Sequence, residues 1–105
     1  MSNSLIANNN NTSNANKTNS VEIYSTEFCP YCTRARMLLE KKGVTYTEFR
    51  VDQDIRLRRE MEHRSQRTSV PQIFIGDKHI GGFDDLAELE YVEALDIILG
   101  ISQHS

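Results

Sequence analysis

Cysteine is scarce in this chain. There are two, Cys29 and Cys32, with two residues between them, so the sequence is not a disulfide scaffold of the kind that staples small secreted domains. Long apolar runs are missing: no stretch approaches the ~20 apolar residues of a membrane span. An excess of positive charge is missing too. Twelve Lys and Arg stand against fifteen Asp and Glu, for a net charge of −3 and a pI of about 5.6. That balance argues against nucleic-acid binding as a property of the whole protein. The start has no basic segment followed by an apolar run of about 7–15 residues, so it does not read as a signal peptide. The expected location is the compartment of synthesis, the cytoplasm, with no membrane partner. Three triplets match the glycosylation pattern (Asn10-Asn11-Thr12, Asn11-Thr12-Ser13 and Asn16-Lys17-Thr18), and an Asn-rich segment produces such matches by chance.

Apolar residues are also rare over Met1 to Ser20, which holds eight Asn and four Ser around one cluster, Leu5-Ile6-Ala7. Such a segment cannot bury enough apolar surface to offset the entropy of ordering it, and it reads as a disordered tail. The remaining stretch, 21–105, is roughly 85 residues, one domain near the lower size limit for a stable core. Within it Arg56, Arg58, Arg59, Arg64 and Arg67 form a basic cluster, and Asp84, Asp85, Glu88, Glu90, Glu93 and Asp96 an acidic one. Taken alone, each reads as a solvated helix face.

What is there reads as an alternation of strands and helices. Val21 to Ser25 alternates apolar and polar and is rich in strand formers. Pro30 suits the first position of a helix, which the apolar stripe of Ala35, Met37, Leu38 and Leu39 carries to Lys42, with Gly43 as the cap beyond. Val44 to Val51 reads as a second strand. Asp52 or Asp54 caps a second helix to about Ser65, with Ile55 and Met61 turned inward. Val70 to Ile75 reads as a third strand with Pro71 at its start, and Gly76-Asp77 turns the chain into a short fourth, Lys78-His79-Ile80. Gly81-Gly82 breaks the chain. Asp84 or Asp85 then opens a helical stretch carrying Leu86, Leu89, Leu95, Ile98 and Leu99, as one helix or two, stopping near Gly100. The first strand, helix and second strand make a right-handed crossover with parallel strands. The expected class is α/β: a four-stranded mixed sheet with helices on both faces.

Cys29-Pro30-Tyr31-Cys32 falls where a strand ends and a helix begins. The unpaired N–H groups at a helix N-terminus carry positive partial charge, and a Cys29 thiolate can accept from them, which lowers its pKa and makes it reactive near neutral pH. Cys32 lies three residues on, on the same helical face and less exposed. The asymmetry assigns attack to Cys29, and to Cys32 resolution of the mixed disulfide. Two other readings exist. Half a zinc site needs two more ligands at metal spacing, and His63, His79 and His104 are scattered. Two inert buried cysteines would not need Pro at a strand–helix junction.

Two further segments sit near this pair in the expected fold. In Ser69-Val70-Pro71, a cis bond before Pro71 would turn the Val70 N–H and C=O outward to pair with a cysteine-containing backbone, but this residue alone favours an ordinary trans proline at a strand start, the far commoner isomer. Gly81-Gly82-Phe83-Asp84-Asp85 is a turn leading to a helix N-terminus, a seat for a carboxylate or simply a tight turn with a cap.

In combination, Cys29-Pro30-Tyr31-Cys32, Ser69-Val70-Pro71-Gln72-Ile73-Phe74-Ile75-Gly76 and Ile80-Gly81-Gly82-Phe83-Asp84-Asp85-Leu86 resemble the glutaredoxins, specifically the bacterial dithiol kind, from Val21 to about Leu89. The resemblance implies a thioredoxin-like fold. It also implies glutathione-dependent reduction of protein disulfides and of glutathione mixed disulfides, with glutathione as co-substrate and no tightly bound cofactor or metal. It makes Cys29 and Cys32 the catalytic pair. Tyr31 would flank the glutathione groove, and Ser69 keeps the hydroxyl of the usual Thr. Val70, before a cis Pro71, would pair with the tripeptide backbone. Gly82, Phe83 and Asp84 match positions that hold the γ-glutamyl end. Asp85 matches an acidic residue that meets the γ-glutamyl amino group or caps the helix. Arg58 matches a position that meets the glycyl carboxylate, where a charged donor suits. Oxidised or glutathionylated proteins are the expected partners, and a monomer the expected state.

The sequence departs from the family in two further places. Thr26 stands where the family usually has a Lys, so one cation that lowers a thiolate pKa is missing. Gln66 stands where relatives often end a helix with Gly. Two other functions compete: an iron–sulfur carrier in which two protomers share a cluster through Cys29 and glutathione, which Pro30 disfavours, and a redoxin reduced by thioredoxin reductase, which the groove disfavours.

Overall fold

The computed structural model describes residues 19–101. Most of the Asn-rich segment expected to be a disordered tail, and also His104, lies outside these residues. The elements are β1 (Val21–Ser25), α1 (Pro30–Lys41), β2 (Thr47–Arg50), α2 (Ile55–Ser65), β3 (Gln72–Ile75), β4 (Lys78–Gly81), α3 (Phe83–Tyr91) and α4 (Leu95–Leu99). The strands form one sheet in the order β2-β1-β3-β4. β1 pairs with β2 in parallel, and β1–β3 and β3–β4 are antiparallel.

Alternation along β1 and β3 divides the core into two layers. Val21, Ile23, Ile73 and Ile75 face Ala35 and Leu39 of α1, Leu86 of α3, and Leu95 and Leu99 of α4. On the opposite face Tyr24 and Phe74 pack with Val51 and with Met61 of α2. Helices therefore cover both faces, as expected. Each fully buried side chain of this set contributes about 1.5–3 kcal/mol, enough between two layers to hold a domain this small.

Three element boundaries differ from the sequence reading. β2 covers only Thr47–Arg50, because Gly43, at φ 76°, reverses the chain after α1 and the Val44 N–H returns to Leu39 O at 3.4 Å. β3 begins at Gln72 rather than Val70, since Pro71 has no N–H to give the ladder. The last stretch is two helices, and the first of them starts at Phe83, before Asp84 and Asp85. It ends in a Schellman turn: Glu93, at φ 63°, donates to Glu90 O at 3.0 Å and Ala94 donates to Leu89 O at 2.8 Å.

Candidate active site

Cys29 is the N-cap of α1, and Pro30 occupies the first helical position. The Cys29 Sγ accepts from the Cys32 N–H at 3.1 Å. The helix therefore places an unpaired backbone donor on this sulfur. Cys32 is fully buried under α1, while Cys29 is partly exposed. Their Cα atoms are 5.1 Å apart and the two sulfurs form a disulfide, within the ordinary span of such a bond. The loop before Cys29 is tied to the end of β2: the Glu27 N–H donates to Asp52 Oδ2 at 3.1 Å, and Arg50 pairs with Asp52 at 2.7 Å. The Arg50 hydrogen bond holds the Asp52 carboxyl down at about 2. Thr26, in this loop, brings no cation to Cys29.

The second wall is the segment before β3. The Val70–Pro71 bond is cis, and Val70 O lies 4.0 Å from Cys29 Sγ. Among the described residues the Val70 N–H finds no acceptor. Ser69 is held from beneath by a relay the sequence reading did not contain. The buried Gln72 donates through Nε2 to Ser69 O at 3.1 Å and Ser69 Oγ at 3.3 Å, and its Oε1 meets His79 Nε2 at 2.8 Å. Because that oxygen only accepts, Nε2 is the protonated ring nitrogen of His79. Burial, and then the charge of Arg67, hold the His79 pKa below its ordinary value, which keeps the ring neutral.

The third wall is the start of α3. Gly82 is the N-cap, and the Asp85 carboxylate reaches back to accept the Gly82 N–H at 2.9 Å. Only this half of a capping box exists, since Gly82 has no side chain to return the bond. Of the two roles implied for Asp85, the cap is the one the geometry holds. The Tyr31 and Phe83 rings lie 6.3 Å apart across the opening, and Arg34 stacks over Tyr31 at 5.2 Å.

These walls enclose a groove of about 290 Å³ lined by Tyr31, Arg67, Ser69, Val70, Pro71, Gly82, Phe83, Asp84 and Asp85. Eight of the nine are residues the sequence reading assigned. Arg58 is not in the lining. Its guanidinium donates to Thr68 O at 3.2 Å and pairs with Glu62 at 3.6 Å, behind the segment that carries Ser69. Arg67 is the residue the sequence reading missed. The sequence groups it with Arg56, Arg58, Arg59 and Arg64 as a basic cluster on a solvated face, whereas in the fold α2 ends at Ser65 and Arg67 belongs to the connecting loop, two residues before Ser69. That proximity was the available signal. Among the described residues no three His, Cys, Asp or Glu gather to hold a metal ion.

The glutaredoxin family model matches residues 21–80. The chain is 53% identical over 79 residues to glutaredoxin 3 of Escherichia coli K12, an overlap of 75% of this chain and 95% of that protein. To a Pseudomonas aeruginosa glutaredoxin it is 48% identical, over 75% and 94% of the two chains. Among solved structures it superposes on a Brucella melitensis glutaredoxin with a TM-score of 0.72 at 43% identity, over 85% of this chain and 97% of that one. It superposes on a buckwheat glutaredoxin–glutathione complex with a TM-score of 0.73 at 28% identity, over 80% and 83%. With a reactive cysteine pair at a helix N-terminus, a thioredoxin-like sheet beneath it and this sequence likeness, the chain belongs to the glutaredoxin family and is a glutathione-dependent thiol–disulfide oxidoreductase.

Proposed function

We propose that Cys29 is the nucleophile, Cys32 the resolving thiol, and the groove the seat of glutathione. The observation that carries this is the difference in burial within the pair: Cys32 is fully buried, whereas Cys29 is partly exposed and its Sγ lies 4.0 Å from the O of Val70, a residue of the groove lining. A Cys29 thiolate, stabilised by the N-terminal amides of α1, attacks the glutathione sulfur of a protein mixed disulfide. A new Cys29–glutathione disulfide forms and the protein leaves as thiolate. A second glutathione thiolate then attacks the bound glutathione sulfur, releasing oxidised glutathione and restoring Cys29. With a protein disulfide as substrate, Cys29 forms the mixed disulfide with the protein. Cys32 attacks Cys29 Sγ, leaving the protein with both thiols and the enzyme with the Cys29–Cys32 bond. Two glutathiones reset that bond: the first opens it at Cys29, the second removes the first as oxidised glutathione. The potential expected is about −200 to −230 mV.

In the groove, Val70 presents a free N–H and C=O to the tripeptide backbone. Tyr31 and Phe83 flank it, Ser69 and Pro71 shape its floor, and Gly82, Phe83, Asp84 and Asp85 close the γ-glutamyl end, where the first amides of α3 are unpaired. Arg58 braces the Ser69 segment from behind and reaches the glycyl carboxylate only by leaving Thr68. The same reading has oxidised or glutathionylated proteins as partners of a monomer in the cytoplasm, where thiols are kept reduced. It leaves residues 1–20 outside the catalytic domain. No helix of the described residues is long and apolar enough to cross a membrane.

The test is turnover of a glutathione mixed disulfide, coupled to glutathione reductase. Cys29→Ser is expected to be inactive, and Cys32→Ser to keep activity on the mixed disulfide while losing it on a protein disulfide. A chain begun at Asn19 is expected to match the full chain. Activity surviving in Cys29→Ser would refute the assignment.

A further inference from the structure

The cation inside the groove is Arg67, and the reading above gives it nothing to do. Its place is built rather than incidental. The Arg67 N–H donates to Ser65 Oγ at 3.0 Å, and that buried hydroxyl donates to Met61 O at 2.7 Å in the last turns of α2. The backbone under Arg67 is thereby pinned to α2. At the other end, Nη1 lies 3.4 Å from Asp85 Oδ2, a carboxylate already fixed by the Gly82 N–H. Gly81 keeps that place open, because a Cβ there would stand 2.2 Å from Asp85 Oδ2. A guanidinium has five N–H donors, and the Arg67 side chain is 51% exposed. Most of its donors therefore remain available over the groove.

The chemistry of that end selects its ligand. Arg67 supplies a forked cation, and Asp84 and Asp85 supply two carboxylates within the same lining. A lone carboxylate placed there would be repelled by both aspartates. A group carrying a carboxylate and an ammonium on one carbon satisfies both signs at once. Glutathione has one such group, the free α-amino-acid end of its γ-glutamyl residue, whereas its glycyl end is a carboxylate only. We infer that Arg67 is a specificity-determining residue that takes the γ-glutamyl α-carboxylate while remaining on Asp85. The inference rests on the groove being the glutathione site.

The test uses three mixed disulfides sharing one leaving thiol: glutathione itself, glutathione with its γ-glutamyl α-carboxylate amidated, and glutathione with its glycyl carboxylate amidated. Wild type is expected to lose about tenfold in kcat/KM on the α-amide, mostly through KM, as for a charge-assisted hydrogen bond at a partly exposed site. Arg67→Ala is expected to lose about the same on glutathione, to show no further loss on the α-amide, and to keep the wild-type response to the glycyl amide. Arg67→Lys, which keeps the charge but not the fork, should fall between them. If Arg67→Ala still discriminates against the α-amide as wild type does, or loses discrimination against the glycyl amide instead, the inference is overturned. Equal turnover of all three substrates by wild type would sink the glutathione groove itself, and this inference with it.

Discussion

Gly81→Ala is the perturbation that most directly tests how the α3 end of the groove is built. Gly81 ends β4 at φ 121°, and an added Cβ would lie 2.2 Å from Asp85 Oδ2 and 2.7 Å from its Cγ. An L side chain in that backbone region carries strain of about 1–3 kcal/mol. Displacing the Asp85 carboxylate also removes the acceptor of the Gly82 N–H, an N-cap loss of about 1 kcal/mol. The Arg67–Asp85 pair, with both side chains about half exposed, adds between zero and about 1 kcal/mol. The expected destabilisation is therefore about 2–5 kcal/mol, or roughly 10–40 °C in Tm for a domain this size. Urea unfolding under reducing conditions, which keeps both cysteines as thiols throughout, measures it. Asp85→Ala alone should cost about 1 kcal/mol. In the double variant the lost cap is counted once rather than twice, so it should be about 1 kcal/mol more stable than the sum of the singles. A Gly81→Ala protein within about 0.5 kcal/mol of wild type, or a double variant equal to the sum, would refute the reasoning.

Two non-glycine residues sit in the left-handed region at helix ends, Gln66 at φ 59° after α2 and Glu93 at φ 63° after α3. Glu93→Gly should stabilise by about 0.5–1 kcal/mol in the same unfolding experiment. Gln66→Gly should gain less, because it also loses the bond from Gln66 Nε2 to His63 O at 2.8 Å. If both lower the urea midpoint, the C-cap account is wrong. Tyr24 is pushed up to about 12, chiefly by burial and then by its hydrogen bond to Glu60. Raising its pKa means the folded state favours the protonated phenol. The associated stability is complete below the unfolded value of about 10 and is lost as pH rises toward 12. Tyrosinate absorbance of wild type against Tyr24→Phe should place that phenol among the late-titrating ones, and a Tyr24 signal at its unfolded value in native protein would contradict the packing.

Much of the site is local and was therefore legible in the chain. Cys29 as an N-cap, Pro30 as the first helical residue and Cys32 one turn on are consequences of helix geometry at a strand end. The three segments that meet at the groove were recognisable by their residues and order, the alternation of Val21 to Ser25 marked the first strand, and the order of strands and helices pointed to a sheet with helices on both faces. Left-handed geometry at Gln66 was implied by the resemblance, since Gln66 stands where relatives often end a helix with Gly.

Other features depend on atoms distant in sequence, and only the tertiary structure decided them. Arg58 and Arg67 have the same side chain, and composition cannot separate them. What separates them is that Arg58 is turned onto Thr68 and Glu62 while Arg67, freed from the helix and pinned through Ser65, crosses to Asp85 eighteen residues away. The cis state of Val70–Pro71 is likewise not written in those two residues, for which trans is the commoner isomer. The bond that ties Gln72 to His79, and so braces the support of Ser69, exists because β3 and β4 pair as a hairpin with a register shift between Ile73 and Phe74. Local rules place a cysteine pair at a helix end. Which cation lines the groove, and which carboxylate holds it there, is decided by the long-range contacts of the folded chain.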